Sequence, residues 1–252
     1  MTDIERRLRA LRTSAPSGLL PSILMALSLG DAYTIVDGPA GAMYVAWNDR
    51  GVTACVPMTA VEGAFEDAHP RQAHYVEHPP DRIGRPLDRA LRTGRLGDLP
   101  VDLDALGDFQ RLVLRKCAEI PPGEIRPYGW IAKEIGRPGA VRAVGTALAR
   151  NPIPILIPCH RVVRTDGKIG RYAYGADMKR ELLRREGVDP DALEDLARRH
   201  VRYVGSDTTM IYCYPTCRHA ERIAATHRVT FRSHLDAQAA GFRACQVCRP
   251  AA

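Results

Sequence analysis

The clearest pattern in the chain is a change of hydrophobic period along its length. Ile4, Leu8 and Leu11 recur at helical spacing, so residues 1–30 are expected to form one or two helices broken over 14–18, where Pro16 falls. Apolar runs rich in β-branched and aromatic residues follow over 33–36, 42–47 and 52–56. The turn strings Asp37-Gly38-Pro39 and Asp49-Arg50-Gly51 separate them, which predicts an antiparallel meander. Residues 66–104 are rich in Pro, His, Asp and Arg and show no period; no chemistry is assigned to them. Helical spacing returns with Phe109, Leu112, Val113 and Cys117 on one face, closed by Pro121-Pro122-Gly123. A short helix over 130–135 stops at Gly136, Pro138 and Gly139. A second helix over 140–150, made largely of small residues, ends at Asn151-Pro152. Two short helices across a glycine-containing turn form a helix-turn-helix pattern. The apolar run over 153–158 must be buried. A further helix over 179–186 stops at Gly187, and residues 189–199 read as a polar helical linker.

Charge sharpens this picture. The chain of 252 residues carries a net charge of +7. Residues 1–104 sum to −3, residues 105–187 to +8, residues 188–200 to −2 and residues 201–252 to +4. Two basic blocks flank an acidic stretch, as expected of a protein that meets a polyanion, although an arginine-rich solvated surface has the same composition. The best candidate for a membrane span, residues 19–29, is short and interrupted by Pro21, and no secretory signal is read at the N-terminus. A cytoplasmic, membrane-free protein is expected, with its seven cysteines as thiols or metal ligands.

Cys159 follows the buried run and is succeeded by His160 and Arg161. A thiol reacts as its thiolate, and a neighbouring base, a cation and a rigid preceding proline suit an activated nucleophile. The dipeptide alone fits a core cysteine equally well. The longer string Asn151-Pro-Ile-Pro-Ile-Leu-Ile-Pro-Cys-His-Arg-Val-Val163 resembles the active-site signature of the O6-alkylguanine-DNA alkyltransferases. The resemblance runs from Phe109 to Gly187 and includes Pro122-Gly-Glu124, Tyr128, Ala132, Arg142-Ala-Val-Gly145, Gly170, Tyr172, Leu182-Leu183 and Glu186-Gly187.

The resemblance implies an α+β protein. Residues 1–104 would form an RNase H-like α/β domain with an extra N-terminal helical segment, and residues 105–188 the catalytic helix-turn-helix domain. It also implies one-time transfer of an alkyl group from guanine O6 in double-stranded DNA to Cys159, after the nucleotide rotates out of the stack. His160 would take the thiol proton through a water, and Glu186 would orient it. Asn151 would tie the second helix to the active-site turn, and Tyr128 would donate to guanine N3. Arg142 would fill the gap left by the flipped base, while Ala140, Ala143, Gly145 and Ala147 allow close approach to the minor groove. Arg150, Tyr172 and Ala173 complete the implied DNA contacts. Many relatives carry serine or glycine where Ala173 stands. Together with Tyr174, Ala173 is expected to disfavour bulky adducts; equal rates on methyl- and benzylguanine would refute this. The rival readings are a non-catalytic lesion sensor that recruits other factors and a cysteine hydrolase using Cys159-His160.

Four further cysteines close the chain: Cys213 and Cys217 with three residues between them, then Cys245 and Cys248 with two. Two such pairs across a moderate loop are a zinc signal in a reduced compartment. His219, His227 and His234 are additional possible ligands, but four thiolates complete a tetrahedron. The string Tyr212-Cys-Tyr-Pro-Thr-Cys217 and the segment over 239–250 resemble the zinc-binding domain of Ada-type proteins. This implies a zinc domain over 201–252 behind a linker over 189–200, with Cys213 as a second methyl acceptor, from DNA phosphotriesters. The zinc domain follows the alkyltransferase instead of preceding it, and no second pair of helix-turn-helix units is present, which argues against transcriptional activation. A monomer is expected.

Overall fold

A computed structural model describes residues 29–58, 65 and 69–250, together with 19, 23, 24 and 27. The helices expected around Ile4, Leu8 and Leu11 lie outside the described residues. The meander forms as expected. Strand β1 (Gly30–Gly38) pairs antiparallel with β2 (Gly41–Trp47), and β2 with β3 (Val52–Pro57). A short β4 (Gln72–Tyr75) adds parallel to β1, giving the order β3-β2-β1-β4. Successive residues of β2 face opposite sides of the sheet. Met43, Val45 and Trp47 enter the main core, whereas Tyr44 and Ala46 join Tyr33, Ala54 and Phe65 in a cluster on the other side.

The stretch without a readable period contains a helix, α1 (Asp81–Thr93). Its buried face is Ile83, Leu87 and Ala90, a helical spacing diluted by charged neighbours and by Pro86 inside the helix. Gly94 stops it in the left-handed region, with φ 64°. The sheet and α1 together wall one side of the main core.

On the other side, α2 (Asp108–Ala118) packs against α3 (Tyr128–Glu134) and α4 (Val141–Ala149). The expected α2 face needs correction. Leu112 is 51% exposed, and the buried residues are Val113, Leu114 and Cys117. The face is rotated because contact with both α3 and α4 widens the covered stripe toward Leu114. Ala147, expected at the DNA, is likewise buried, sharing the inner face of α4 with Val144 and Leu148. Gln110 of α2 donates to the carbonyls of Ala147 (3.3 Å) and Arg150 (2.9 Å), satisfying the open end of α4.

Strand β5 (Arg126–Pro127) leads directly into α3 and pairs in parallel with β6 (Val162–Val163). Helix α5 (Ala176–Arg185) starts a turn earlier than expected. The segment expected as a polar linker is the packed helix α6 (Pro190–Arg198). Asp189 caps it, and Leu193 joins Ile125, Val163, Ile169, Leu183 and Val188 in a core of their own.

The C-terminal residues build a second sheet, β10-β8-β7-β9, from β7 (Tyr203–Ser206), β8 (Ile211–Cys213), β9 (Arg228–Phe231) and β10 (Arg243–Ala244). Two short helices, α7 (Arg218–Glu221) and α8 (His234–Ala239), accompany it. A small aromatic core of Tyr212, Phe231 and Phe242 supports this sheet. No helix among the described residues is long and apolar enough to cross a membrane.

Candidate functional site

Cys159 opens a single 3-10 turn (Cys159–Arg161) that follows the buried apolar run. The run is held in a tight loop in which Ile155 has φ 75°, a strained value for a β-branched residue. Asn151 pins that loop. Its Oδ1 accepts from Ile153 N (3.0 Å), and its Nδ2 donates to Ile157 O (2.9 Å) and reaches Cys159 Sγ at 3.3 Å. The N-terminal sheet braces the loop from outside, because Cys55 N donates to Pro152 O at 3.0 Å.

The thiol is only 8% exposed, and burial pushes its pKa above the ordinary cysteine value. The Arg161 guanidinium, next but one in sequence, is engaged by Glu186, Ile120 and Gly94 instead. The groups that favour the thiolate are Asn151, Lys179 and Tyr172, which act against the burial. Lys179, 0% exposed, donates from Nζ to Val162 O (2.6 Å) and Ile169 O (2.8 Å). Burial lowers its pKa to about 8, while Cys159 and Cys117 oppose the shift. The Tyr172 hydroxyl is buried without a hydrogen-bond partner among the described residues, and burial, then the nearby Cys159, push its pKa up.

His160 Nε2 lies 2.9 Å from Glu186 Oε1. An ionised carboxylate only accepts, so Nε2 carries the hydrogen. Burial lowers the His160 pKa, leaving a neutral ring whose Nδ1 is a free lone pair; Nδ1 is buried and has no partner among the described residues. The same carboxylate takes Arg161 Nε at 2.9 Å and Nη2 at 2.7 Å. Arg161 is 1% exposed and also donates to Ile120 O and Gly94 O, both at 2.6 Å. Burial alone would raise the Glu186 pKa, but His160 and Arg161 outweigh it and hold the carboxyl down to about 2.

Sequence reasoning missed the structural use of Arg161 and the presence of Lys179 and Gly94. Lys179 shares a helix face with Leu182 and Leu183, and a lysine in an apolar stripe was the available signal. Tyr128 begins α3, half-buried, and burial followed by the influence of Cys159 raises its pKa. Gly145 lies next to it: a Cβ there would be in ordinary contact with the ring, 3.9 Å from Tyr128 Cε1. Arg142 and Ala143 are exposed on the outer face of α4, Arg150 is exposed just past its end, and Ala140 is half-buried at its start. Ala173 is exposed between Tyr172 and Tyr174, whose rings are 5.7 Å apart. Asn151, Lys179 and Tyr172 therefore act directly on Cys159, while Glu186 reaches this cluster through its contact with His160. Arg142, Ala143 and Arg150 stand on an outer surface beside it.

The four C-terminal cysteines are buried, and their ligand atoms all lie within 4.8 Å of one another. Four thiolates bound tetrahedrally to zinc at about 2.3 Å would lie about 3.8 Å apart, so this donor set fits the ion. Histidine is not needed: His227 Nδ1 is 2.9 Å from Asp207 Oδ1 instead.

A buried cysteine next to a histidine–carboxylate pair, two short helices with exposed arginines and a tetrathiolate cluster are features that suit a DNA-directed thiol acceptor. Comparison with known proteins makes the class specific. Residues 108–188 match the 6-O-methylguanine DNA methyltransferase DNA-binding domain, and residues 194–251 match the metal-binding domain of Ada. A methylated-DNA–protein-cysteine methyltransferase of Mycolicibacterium paratuberculosis is 40% identical over 153 residues, 60% of this chain and 89% of the relative. One from Methanosarcina barkeri is 39% identical over 158 residues, 61% of this chain and 96% of the relative. The crystal structure of Mycobacterium tuberculosis OGT in complex with DNA superposes with a TM-score of 0.51 at 31% identity, covering 64% of this chain and 98% of that one. The chain belongs to the methylated-DNA–protein-cysteine methyltransferase family and carries an Ada-type zinc-binding domain behind the catalytic part.

Proposed function

We propose that this protein repairs alkylated DNA by transferring the alkyl group of O6-alkylguanine to Cys159 once per molecule. The observation that carries this reading is the Cys159 thiol itself: buried, pinned by Asn151, and next in sequence to a histidine with one free lone pair. In the reaction, His160 Nδ1 takes the thiol proton through a water, and Glu186 stabilises the imidazolium that forms. The Cys159 sulfur attacks the alkyl carbon, the C–O6 bond breaks, and the electron pair passes to the guanine. Tyr128 hydrogen-bonds N3 and passes its proton to the departing base, which leaves neutral, and the proton taken up by His160 is returned through solvent to the phenolate. A thioether has no leaving group for water to displace, which makes the transfer final. Lys179 and Asn151 stabilise the developing thiolate.

We read α3 and α4 as a helix-turn-helix that approaches duplex DNA with Arg142, Ala140, Ala143, Gly145 and Arg150. Tyr172 and Ala173 would line the space for the flipped base. The exposure of Arg142 and Ala143 on one helix, with Arg150 just past its end, supports this. The order β3-β2-β1-β4, with only the β1–β4 edge parallel, supports an RNase H-like N-terminal domain over 1–104. The catalytic domain would then occupy 105–188, and the zinc domain 201–252 behind the segment 189–200. A monomer in a reducing compartment such as the cytoplasm suits a protein whose chemistry needs a free thiol.

A second acceptor is favoured by a cavity of about 490 Å³ that opens on Cys213 and Cys245 and is lined by Arg222, Arg243 and His219. Zinc bound there would keep the Cys213 thiolate ionised and nucleophilic, and Arg222 and Arg243 suit the phosphodiester anion that methyl transfer from a neutral phosphotriester releases. Intact-mass analysis with peptide mapping tests both readings. Duplex DNA bearing O6-methylguanine is expected to place one methyl on Cys159, lost in Cys159→Ala; DNA bearing only methyl phosphotriesters is expected to mark Cys213. An unchanged mass with the first substrate refutes the main reading and favours the lesion sensor. An unmarked Cys213 with the second leaves the zinc domain as a DNA-binding appendage.

A further inference from the structure

The zinc knot is joined to the catalytic part by residues that directly flank its ligands. Tyr214 follows Cys213, and its ring lies 5.5 Å from the Arg126 guanidinium. The same guanidinium lies 5.6 Å from the Trp130 ring, so Arg126 bridges the knot and α3. Thr216 Oγ1, one residue before Cys217, accepts from Ile125 N at 2.9 Å. The N–H of Arg218, one residue after Cys217, faces Glu124 Oε1 at 3.5 Å, and Glu124 is ion-paired with Arg126. Arg249 follows Cys248. It reaches Glu134 Oε2 at 2.8 Å and lies 5.9 Å from the other contact of the clamp, the Trp130 ring.

These contacts converge on one short segment, β5 and α3, which leads to the reaction centre by two routes. Tyr128 is the first residue of α3. Arg126 pairs in register with Val162, three residues beyond Cys159, and the Val162 carbonyl holds the Lys179 ammonium that favours the Cys159 thiolate.

We propose that the zinc module is a working part of the alkyl-transfer site. The metal-bound knot clamps β5 and α3, and Arg126 and Arg249 act as positioning residues for Tyr128 and for the strand that follows Cys159. This rests on Cys159 being the acceptor and Tyr128 the donor to the base. It predicts that an ion remote from the reacting sulfur sets both the order of α3 and the rate of transfer. Spatial continuity alone does not establish coupling, so the test measures coupling directly.

Hydrogen exchange is followed on the full chain, zinc-loaded and metal-stripped under reducing conditions, with peptides from 126–134 and, as a control, 43–47. Single-turnover methyl transfer from O6-methylguanine duplex is measured on the same samples. Stripping is expected to raise exchange over 126–134 and to slow transfer, each by about tenfold, with β2 unaffected and both effects reversed by zinc. Arg249→Ala, changed at a half-exposed side chain and kept zinc-loaded, is expected to reproduce part of both losses, and Arg249→Lys to recover some. Unchanged protection over 126–134, or lost protection with an unchanged transfer rate, overturns the proposal. Should stripping unfold the whole chain, the zinc-loaded Arg249→Ala result decides alone: wild-type exchange and rate overturn the proposal. The exchange measurement is repeated in Cys159→Ala. Exchange that responds to zinc in a protein whose wild type transfers nothing refutes the alkyl-transfer reading and with it the claim on rate.

Discussion

Glu186→Gln removes one charge and almost no volume, yet it is expected to damage both stability and rate. In the folded protein the carboxyl is held down to about 2, from an ordinary value of 4.5, by His160 and Arg161. A depressed carboxylate pKa stabilises the fold above the unfolded value and loses that contribution as pH falls through the folded one. The gap of 2.5 between the two values corresponds to about 3 kcal/mol at pH 7. The side chain is 14% exposed, so solvent screens little of it. A second estimate agrees, since leaving the buried Arg161 guanidinium without its counter-charge costs about 3–5 kcal/mol. The imidazole also loses the carboxylate that fixes its tautomer, for which a rate loss of about a hundredfold is expected.

Urea denaturation of both proteins at pH 7 and pH 3 reads the stability, and the comparison between them cancels acid release of the metal. The difference is expected to be about 3 kcal/mol at pH 7 and to narrow to about 1 kcal/mol at pH 3, where most of the unfolded carboxyl is protonated. Rapid-quench transfer from O6-methylguanine duplex reads the rate. A difference that does not narrow at pH 3, or a stability within about 0.5 kcal/mol of wild type, refutes the assignment of Glu186 as the anchor of both neighbours.

Gly94→Ala tests the anchor from the other side. A Cβ at Gly94 would lie 2.8 Å from Arg161 Nη2 on a backbone with φ +64°, so a loss of about 1–3 kcal/mol and slower transfer are expected by urea melt and rapid quench. Lys179→Met tests the buried ammonium. The pKa depressed from 10.5 to about 8 means that wild-type stability rises with pH between those values, as the folded state sheds its proton first; this rise should vanish in the variant's urea midpoints. Because burial raises the Cys159 thiol, wild-type transfer should also accelerate with pH above neutrality, and a flat rate profile argues against proton loss as part of the slow step.

The sequence was most legible where one period dominates. The meander needed only its apolar runs and two turn strings. The helix at 81–93 was hidden because Ile83, Leu87 and Ala90 are its only buried residues and Pro86 interrupts it. Leu112 was misplaced because helical spacing defines a stripe but not its centre, and contact with two other helices shifted that centre toward Leu114. At the site, Asn151 contacts Cys159, and Glu186 contacts His160. The partners of Arg161 were not legible, because the 3-10 turn directs its side chain to Glu186, Ile120 and Gly94, all distant in sequence. Gly94 could not be found from sequence, since its contact with Arg161 spans 67 positions.

These corrections change how the acceptor works. An exposed thiolate beside cations is also the form of cysteine that is oxidised most readily. A protein consumed by its own reaction loses a repair event with each molecule oxidised beforehand. Here the positive charge of Arg161 is absorbed by Glu186, Lys179 is partly spent on two carbonyls, and burial keeps Cys159 protonated at rest. His160 Nδ1 is buried and has no partner among the described residues. In the proposed reaction, activation then depends on the lesion: a flipped nucleotide would supply the electrophilic carbon while His160 would receive the proton. The arrangement trades resting nucleophilicity for a thiol that becomes reactive when the lesion is in place. Cys159 should therefore resist peroxide and general alkylating agents far better than a free thiol, while still reacting with alkylguanine in DNA.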